Sequence, residues 1–431
     1  MISERFNLGR NVKFSVIAFL INIGLIFLSY RLVIKYDGVA SVGLWSLLMA
    51  WANIFRVGDV GMGGAIIRFV SSKNLQFDEG VIREFIDTGL LINILAFGLL
   101  MLIGYFFLQQ NLFRLIDPSS MEKANELLPL LFSAMFASSV AMLIISSLQG
   151  LHYGYLGSYL SMGCSVLQIL LVVILVPDIG INGLAWAQLV QYTLLIFLGW
   201  FCISLKTSRS HFFPKNFSLA ALKKMFSYSL KAQIANISNG LFDPLSKILF
   251  SQFGGLQEQG VYELAHKTVT LARSAVISGL SASLPSITDL VKTSPLEALS
   301  FYEASHRVVV RSISFVSVAI VLLIPFFSWL WFGRLEADYG VFIIILVIGY
   351  WFNVYGAAAY NLGPATGVMR FNILVTVSAL GFIFILGGSL GNVIGSAGVV
   401  ISISSSLIFS SFLLKYFNEK LLLNKISKIK E

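Results

Sequence analysis

Apolar runs of about twenty residues, the length a helix needs to cross the hydrocarbon core of a bilayer, recur along the whole chain between short polar stretches. Twelve spans are predicted, near 14–34, 42–69, 84–108, 125–149, 156–176, 181–204, 225–252, 261–285, 308–332, 340–362, 371–386 and 393–414. The second, seventh and eighth depart from the pattern because charges fall inside the run. With the N-terminus placed in the cytoplasm, the inner segments hold 18 Lys/Arg and the outer segments four. That bias puts both termini on the cytoplasmic side. Trp45, Trp329 and Trp331 then fall near the outer interface, where an aromatic belt is expected.

Composition agrees with this reading. Of 431 residues, 57% are hydrophobic and only 12% charged, with a mean hydropathy of +0.84. A soluble domain carries about 25% charged residues. The net charge of +9 does not mark a nucleic-acid partner, because Lys and Arg sit mostly at the ends of apolar runs. The basic start MISERFNLGRNVK precedes a run longer than a signal-peptide core of roughly 7–15 residues, with no small-x-small cleavage site after it. It reads as a retained first span. Cys164 and Cys202 lie in apolar segments without a pairing motif and read as small hydrophobes.

The chain also partly repeats itself. A shift of 217 residues places Gly38 and Gly43 on Gly255 and Gly260, Leu47 on Leu264, Asn22 on Asn239 and Arg56 on Arg273. Shifts of 213 and 215 place Gly150 and Gly154 on Gly363 and Gly367, then Gly180 and Gly183 on Gly395 and Gly398. The expected fold is all-α: about twelve transmembrane helices in two six-helix halves around a central cavity, related by a parallel pseudo-two-fold repeat. Residues 1–204 would form the first half, 205–224 a basic cytoplasmic linker, and 225–431 the second half with a basic tail.

Eight basic residues fall inside the spans, and Arg56 and Arg273 lie too near mid-span to snorkel. An arginine at the bilayer centre costs about 2.5–3.5 kcal/mol on insertion scales unless it meets water or a partner. An ion pair of Arg56 with Asp59 at i,i+3 is one partner. A hydrated cavity is the other, and the matched positions of Arg56 and Arg273 favour it. In the eighth span Glu263, His266, Lys267, Thr270 and Arg273 recur at three- and four-residue steps, forming one polar stripe. Asn236, Asn239, Asp243 and Lys247 do the same in the seventh, and Asn22 with Ser29 more weakly in the first. Pro244 and the run Gly58–Gly64 are expected kink points.

Chemistry of other kinds finds little support. His152, His211, His266 and His306 show no metal-ligand spacing, and no phosphate-binding loop, GxSxG or dinucleotide fingerprint occurs. No enzyme, metal or cofactor is expected.

The stretch YDGVASVGLWSLLMAWANIFRVGDVGMGGAIIRFV, residues 36–70, resembles the first-to-second-span region of polysaccharide exporters of the Wzx type. Asp59 and Gly61 match the Asp-x-Gly near the end of that region, and GGLQEQGVYELAHK, residues 254–267, resembles the equivalent loop of the second half. The resemblance implies a flippase of the multidrug/oligosaccharidyl-lipid/polysaccharide superfamily, in the inner membrane of a bacterium. Its substrate would be a polyprenyl-pyrophosphate-linked oligosaccharide, an O-antigen or capsule repeat unit. Its other partners would be membrane lipids and further membrane proteins of polysaccharide assembly. Arg273, Arg56, Lys267 and Lys247 would then meet the pyrophosphate, and Asn239, Asn22 and Asn236 the sugar hydroxyls. Asp59, Asp243, Glu263 and His266 would carry H⁺ or Na⁺, or pair with the cations. A multidrug-type antiporter and a membrane polysaccharide polymerase or ligase are the rival readings. The first would favour an acidic cavity, and the second commonly needs a large outer loop.

Overall fold

The computed structural model describes residues 8–56, 62–71, 79–207, 213–281 and 283–430; side chains of 8–20, 22, 79, 228, 230–239, 281 and 424–430 lie outside the description. Every element among the described residues is helical. The chain separates into two compact units, 1–237 and 238–431.

In the first unit the helices are α1 (Leu8–Asp37), α2 (Val39–Arg56), α3 (Met62–Val70), α4 (Glu79–Ile92), α5 (Gly98–Leu115), α6 (Met121–Gly150), α7 (Gly154–Ile179) and α8 (Ile181–Lys206). A π-helical turn, Asn93–Phe97, joins α4 to α5. Ile66, Phe85, Leu90, Leu143, Ile144 and Met225 share one core, so the start of α9 (Leu219–Ser281) packs with this unit. Buried polar groups tie the 205–224 stretch to the same helices. Arg83, fully buried, pairs with Asp87 at 3.0 Å and donates to Thr207 Oγ1 at 3.0 Å. Asp87 Oδ2 accepts the backbone N–H of Lys215 and of Asn216, at 3.2 and 3.1 Å. The expected linker is thus pinned to α4.

The second unit holds the rest of α9, then α10 (Leu284–Thr293), α11 (Pro295–Leu322), α12 (Ile324–Phe332), α13 (Ala337–Tyr355), α14 (Ala357–Thr366) and α15 (Arg370–Lys430). At 63 and 61 residues, α9 and α15 would each run about 90 Å if straight, three times the hydrocarbon thickness. Neither is straight. Lys247 and Glu263, which a continuous helix would hold about 24 Å apart, form an ion pair at 2.8 Å. The chain therefore turns back at Gly255, where φ is +62°. Ser406 Oγ likewise donates to the Ala379 carbonyl at 2.7 Å, across a break at Ile394–Gly395.

Nine stretches among the described residues are long and apolar enough to span a membrane, and Gly255 and Gly395 each divide one of them in two. With α1, which covers the first predicted span, the twelve expected crossings are accounted for. The repeat is written into the backbone as well. Gly38 and Gly255, matched at a shift of 217, both have positive φ (87° and 62°). Gly180 and Gly395, matched at 215, share φ/ψ of 57°/−136° and 65°/−148°. A Cβ on Gly183 would come 2.7 Å from the Leu175 carbonyl carbon, and one on Gly398 2.3 Å from the oxygen of Leu390, the residue 215 positions on from Leu175. Both halves thus make the same tight turn between their fifth and sixth spans.

This geometry separates two otherwise similar substitutions. Gly398→Ala is expected to lower the thermal unfolding temperature of the purified protein, since backbone must move to admit the methyl group. Gly388→Ala, on the same helix with nothing within 4 Å of its added Cβ, is expected to be neutral or to stabilise by up to about 1 kcal/mol.

Two expectations change. Trp45 and Trp331 are buried rather than placed in an interfacial belt, and only Trp329 of the three is exposed. Trp331 Nε1 donates to Thr268 Oγ1 at 3.2 Å, so its polar edge is satisfied within the protein. The sharp turn of α9 falls at Gly255, where no kink was expected, while the backbone keeps helical φ/ψ through Pro244. The other expected kink, Gly58–Gly64, lies largely outside the described residues.

Candidate functional site

The second unit encloses a cavity of about 610 Å³, within the range of small-molecule sites. One wall is α9 after its turn: His266, Lys267, Thr270, Arg273, Ile277 and Leu280 recur at helical spacing and line it. Phe242 and Asp243 enter from the arm before the turn. Tyr350 and Asn353 come from α13, Tyr360 and Asn361 from α14, and Thr376, Ser410 and Ser411 from α15.

The cavity is polar at two places of different character. Arg273, in the middle of its span, donates from Nε to Asn353 Oδ1 at 2.8 Å, and its guanidinium lies 5.8 Å from the centre of the Tyr350 ring. Beside it is an ion cluster built across the α9 turn. Lys247 Nζ meets Glu263 at 2.8 Å and Asp243 at 3.1 Å, and Lys267 Nζ lies 3.7 Å from Glu263. His266 Nε2 is 2.7 Å from the Tyr350 hydroxyl and 3.3 Å from Asp243 Oδ1. Away from the cluster, Tyr360, Asn361, Thr376 and Ser410 offer neutral hydrogen-bonding groups. Counting Lys247, Lys267 and Arg273 against Asp243 and Glu263, bases exceed acids by one with His266 neutral.

The polar stripe of the eighth span is therefore split by role. His266, Lys267 and Arg273 reach the cavity with Asp243, whereas Glu263 and Lys247, with side chains 3% and 8% exposed, lie behind the wall and pair with each other. Lys247, expected from the sequence to face the ligand, is not among the residues of this cavity and pairs with Glu263 and Asp243. Arg56 ends α2 in the first unit and is not among the residues of this cavity. Asp59, and the side chains of Asn22, Asn236 and Asn239, lie outside the described residues. Sequence reasoning misses Tyr350, Asn353, Tyr360 and Asn361, although their three-, seven- and one-residue steps form a polar stripe along the tenth span.

The fold has solved counterparts. The structure superposes on a multidrug resistance MATE family transporter of the MOP superfamily in its inward-facing conformation with a TM-score of 0.79, at 16% identity, over 94% of this chain and 95% of that one. The outward-facing conformation of such a transporter gives 0.66, at 15% identity, over 97% and 96%. A MOP superfamily transporter from Pyrococcus furiosus, described as having a binding pocket of reverse polarity that suggests a different function, gives 0.66 at 16% identity, over 96% of both chains. No curated protein matches the sequence.

Multiple membrane-spanning helices in this fold, arranged as two repeated halves, mark a multi-pass membrane protein. Residues 8–291 match the family described as "Polysaccharide biosynthesis protein", and the chain belongs to that family, in agreement with the resemblance to Wzx-type exporters seen in its motifs.

Proposed function

We propose that this transporter moves a polyprenyl-pyrophosphate-linked oligosaccharide, of the kind built into O-antigen or capsule, from the cytoplasmic to the outer leaflet of a bacterial inner membrane. Both termini would be cytoplasmic, as the loop charges require. The observation that carries the reading is Arg273. It is a mid-span guanidinium at a cavity wall, held by one neutral hydrogen bond, beside a cluster whose two lysines and two carboxylates balance, so that Arg273 itself supplies the excess positive charge. Its Nε bond engages one of five N–H donors, and the remaining fork suits the oxygens of a pyrophosphate. A cavity meant for cationic drugs would need the opposite balance. The neutral groups of Tyr360, Asn361 and Thr376 supply what sugar hydroxyls need.

Outward movement of an anion is favoured by an inside-negative potential, by about 2.3 kcal/mol per charge per 100 mV. Inward H⁺ or Na⁺ would add to this, and Asp243 is the carrier of choice. Its side chain is 45% exposed, while Glu263 is enclosed between two lysines. Asp243→Asn is expected to leave substrate binding intact but to remove the stimulation of transport by an inward ion gradient in proteoliposomes. Stimulation of normal size in that variant would exclude Asp243 as the carrier. Export by Arg273 variants, and the leaflet in which the lipid-linked sugar accumulates when the protein is missing, test the reading as a whole.

A further inference from the structure

A second hollow, about 560 Å³, lies between the far end of α9 and α11. Unlike the polar cavity it is mainly apolar, with Val276 and Gly279 on one side and Phe301, Ala304 and Val308 on the other. Leu280 borders both hollows. It is 8% exposed, and the serines of the groove sit among apolar neighbours. The two spaces are therefore neighbours across one side chain, a charged and hydrogen-bonding one on one side of α9 and an apolar one on the next.

The spacing along α9 gives this adjacency a meaning. Arg273, Ile277 and Leu280 follow one another on the cavity face, and seven residues of helix place Leu280 about 10 Å from Arg273 along the axis. A pyrophosphate held at Arg273 would carry its hydrocarbon chain past Ile277 to Leu280 and there meet the groove. The groove lies where the eighth span meets the 286–307 segment, with Phe301 and Ala304 in that segment and Val308 opening the ninth span, and the charge bias places 286–307 in the cytoplasm. That is the leaflet from which the proposed substrate starts. A flat lipid-facing wall would not need to be hollow. Here Gly279 leaves room: a Cβ built on it meets nothing within 4 Å.

We propose that this groove is a binding site for the isoprenoid chain of the carrier lipid, with Leu280 as the threshold between head and tail. The inference rests on the proposed function and deepens it. The tail is then a recognised part of the substrate, and chain length and branching contribute to selectivity alongside the sugar. The attraction is hydrophobic packing into a preformed apolar hollow, so it is additive with, and separable from, the charge pairing at Arg273.

The test uses the full-length protein in nanodiscs and a long-chain polyprenyl pyrophosphate bearing a diazirine in its tail, with adducts mapped by mass spectrometry. Adducts are expected on 275–283 and 301–312, and Gly279→Phe, which fills the open space, should lower them about tenfold, equivalent to roughly two lost methylenes of burial. Gly279→Ala should leave them unchanged, and the unfolding temperature of both variants checks that the fold survives. Binding of an oligosaccharide pyrophosphate lacking the tail should be unaffected by Gly279→Phe and weakened by Arg273→Ala. Undiminished adducts in Gly279→Phe, or equal labelling from a diazirine phospholipid that excess polyprenyl pyrophosphate does not displace, would overturn the groove as a specific tail site. Such a result with tail-free binding intact would leave the proposed function standing. Absence of tail-free binding in the parent protein would instead remove the proposed function.

Discussion

Replacing Arg273 by alanine is expected to abolish surface-polysaccharide export while leaving the amount of folded protein in the membrane unchanged. The guanidinium sits at a cavity wall and its one described hydrogen bond is to a neutral amide, Asn353. Removing it therefore strands no buried charge, and the structural cost is that of a single amide hydrogen bond, about 0.5–1.5 kcal/mol, together with a weak ring contact to Tyr350. The functional cost is larger. A charge-assisted hydrogen bond to a phosphate oxygen is worth about 1.5–3 kcal/mol, so loss of a two-pronged contact lowers affinity for the pyrophosphate by about 100-fold or more. Arg273→Lys keeps the charge but not the fork and should retain partial export. Export at the parental level by Arg273→Ala, with comparable protein in the membrane, would remove Arg273 from the site.

The largest effect on stability is expected at Glu263, which the cavity does not need directly. Its carboxylate, 3% exposed, lies 2.8 Å from Lys247 and 3.7 Å from Lys267. Glu263→Ala leaves Lys247, itself 8% exposed, with Asp243 as its remaining acidic partner. Breaking a buried pair from one side costs up to about 3–5 kcal/mol where the other charge is left uncompensated, and Asp243 at 3.1 Å from Lys247 keeps the expected loss toward the lower end of that range. Removing both charges at once is a different matter. Lys247→Met combined with Glu263→Leu keeps the volume and removes both buried ions, and the partners they leave, Asp243 and Lys267, are 45% and 32% exposed and can be met by water, so most of the lost stability should return. Thermal unfolding in detergent reads the difference directly. If the double variant were as unstable as Glu263→Ala alone, the cluster would not be held together by this pairing.

Much of the architecture is legible in the amino-acid sequence, because membrane helices declare themselves by length. Glycine carries more information than composition. Gly180 and Gly395 are only a weak match at a shift of 215, yet both sit at the same positive-φ turn, and Gly183 and Gly398 close against the same carbonyl position in their halves. Only glycine suits those places, so the repeat survives there when the apolar residues around it have drifted. The stripe on the eighth span is legible for the same kind of reason, since a 3.6-residue period is imposed by the helix itself.

What the sequence hides is long-range partnership. Glu263 and Arg273 belong to one stripe, but only the turn at Gly255 brings Lys247 across to Glu263 and so decides that this carboxylate is buried. Asn353 and Tyr350 lie some eighty residues beyond Arg273 in a run that reads simply as apolar. Arg83 and Asp87 read as a loop residue and a span end, whereas they form a fully buried pair that fastens the 213–218 segment. The tryptophans mislead for the converse reason. An aromatic near a span end is at home in the interface or in the protein, and Thr268 supplies Trp331 with a partner inside.

The most direct test of the central claim is made on a strain lacking the gene. Its membrane lipids are extracted after treating intact cells with a membrane-impermeant sugar-modifying reagent. A polyprenyl-linked oligosaccharide is expected to accumulate unmodified, on the cytoplasmic side, with loss of surface polymer, and the parental gene but not the Arg273→Ala variant is expected to reverse both. Accumulated oligosaccharide that the reagent does modify would mean that flipping proceeds without this protein and would point to polymerisation or ligation. No accumulation at all would contradict the account and leave export of a small molecule as the reading to pursue.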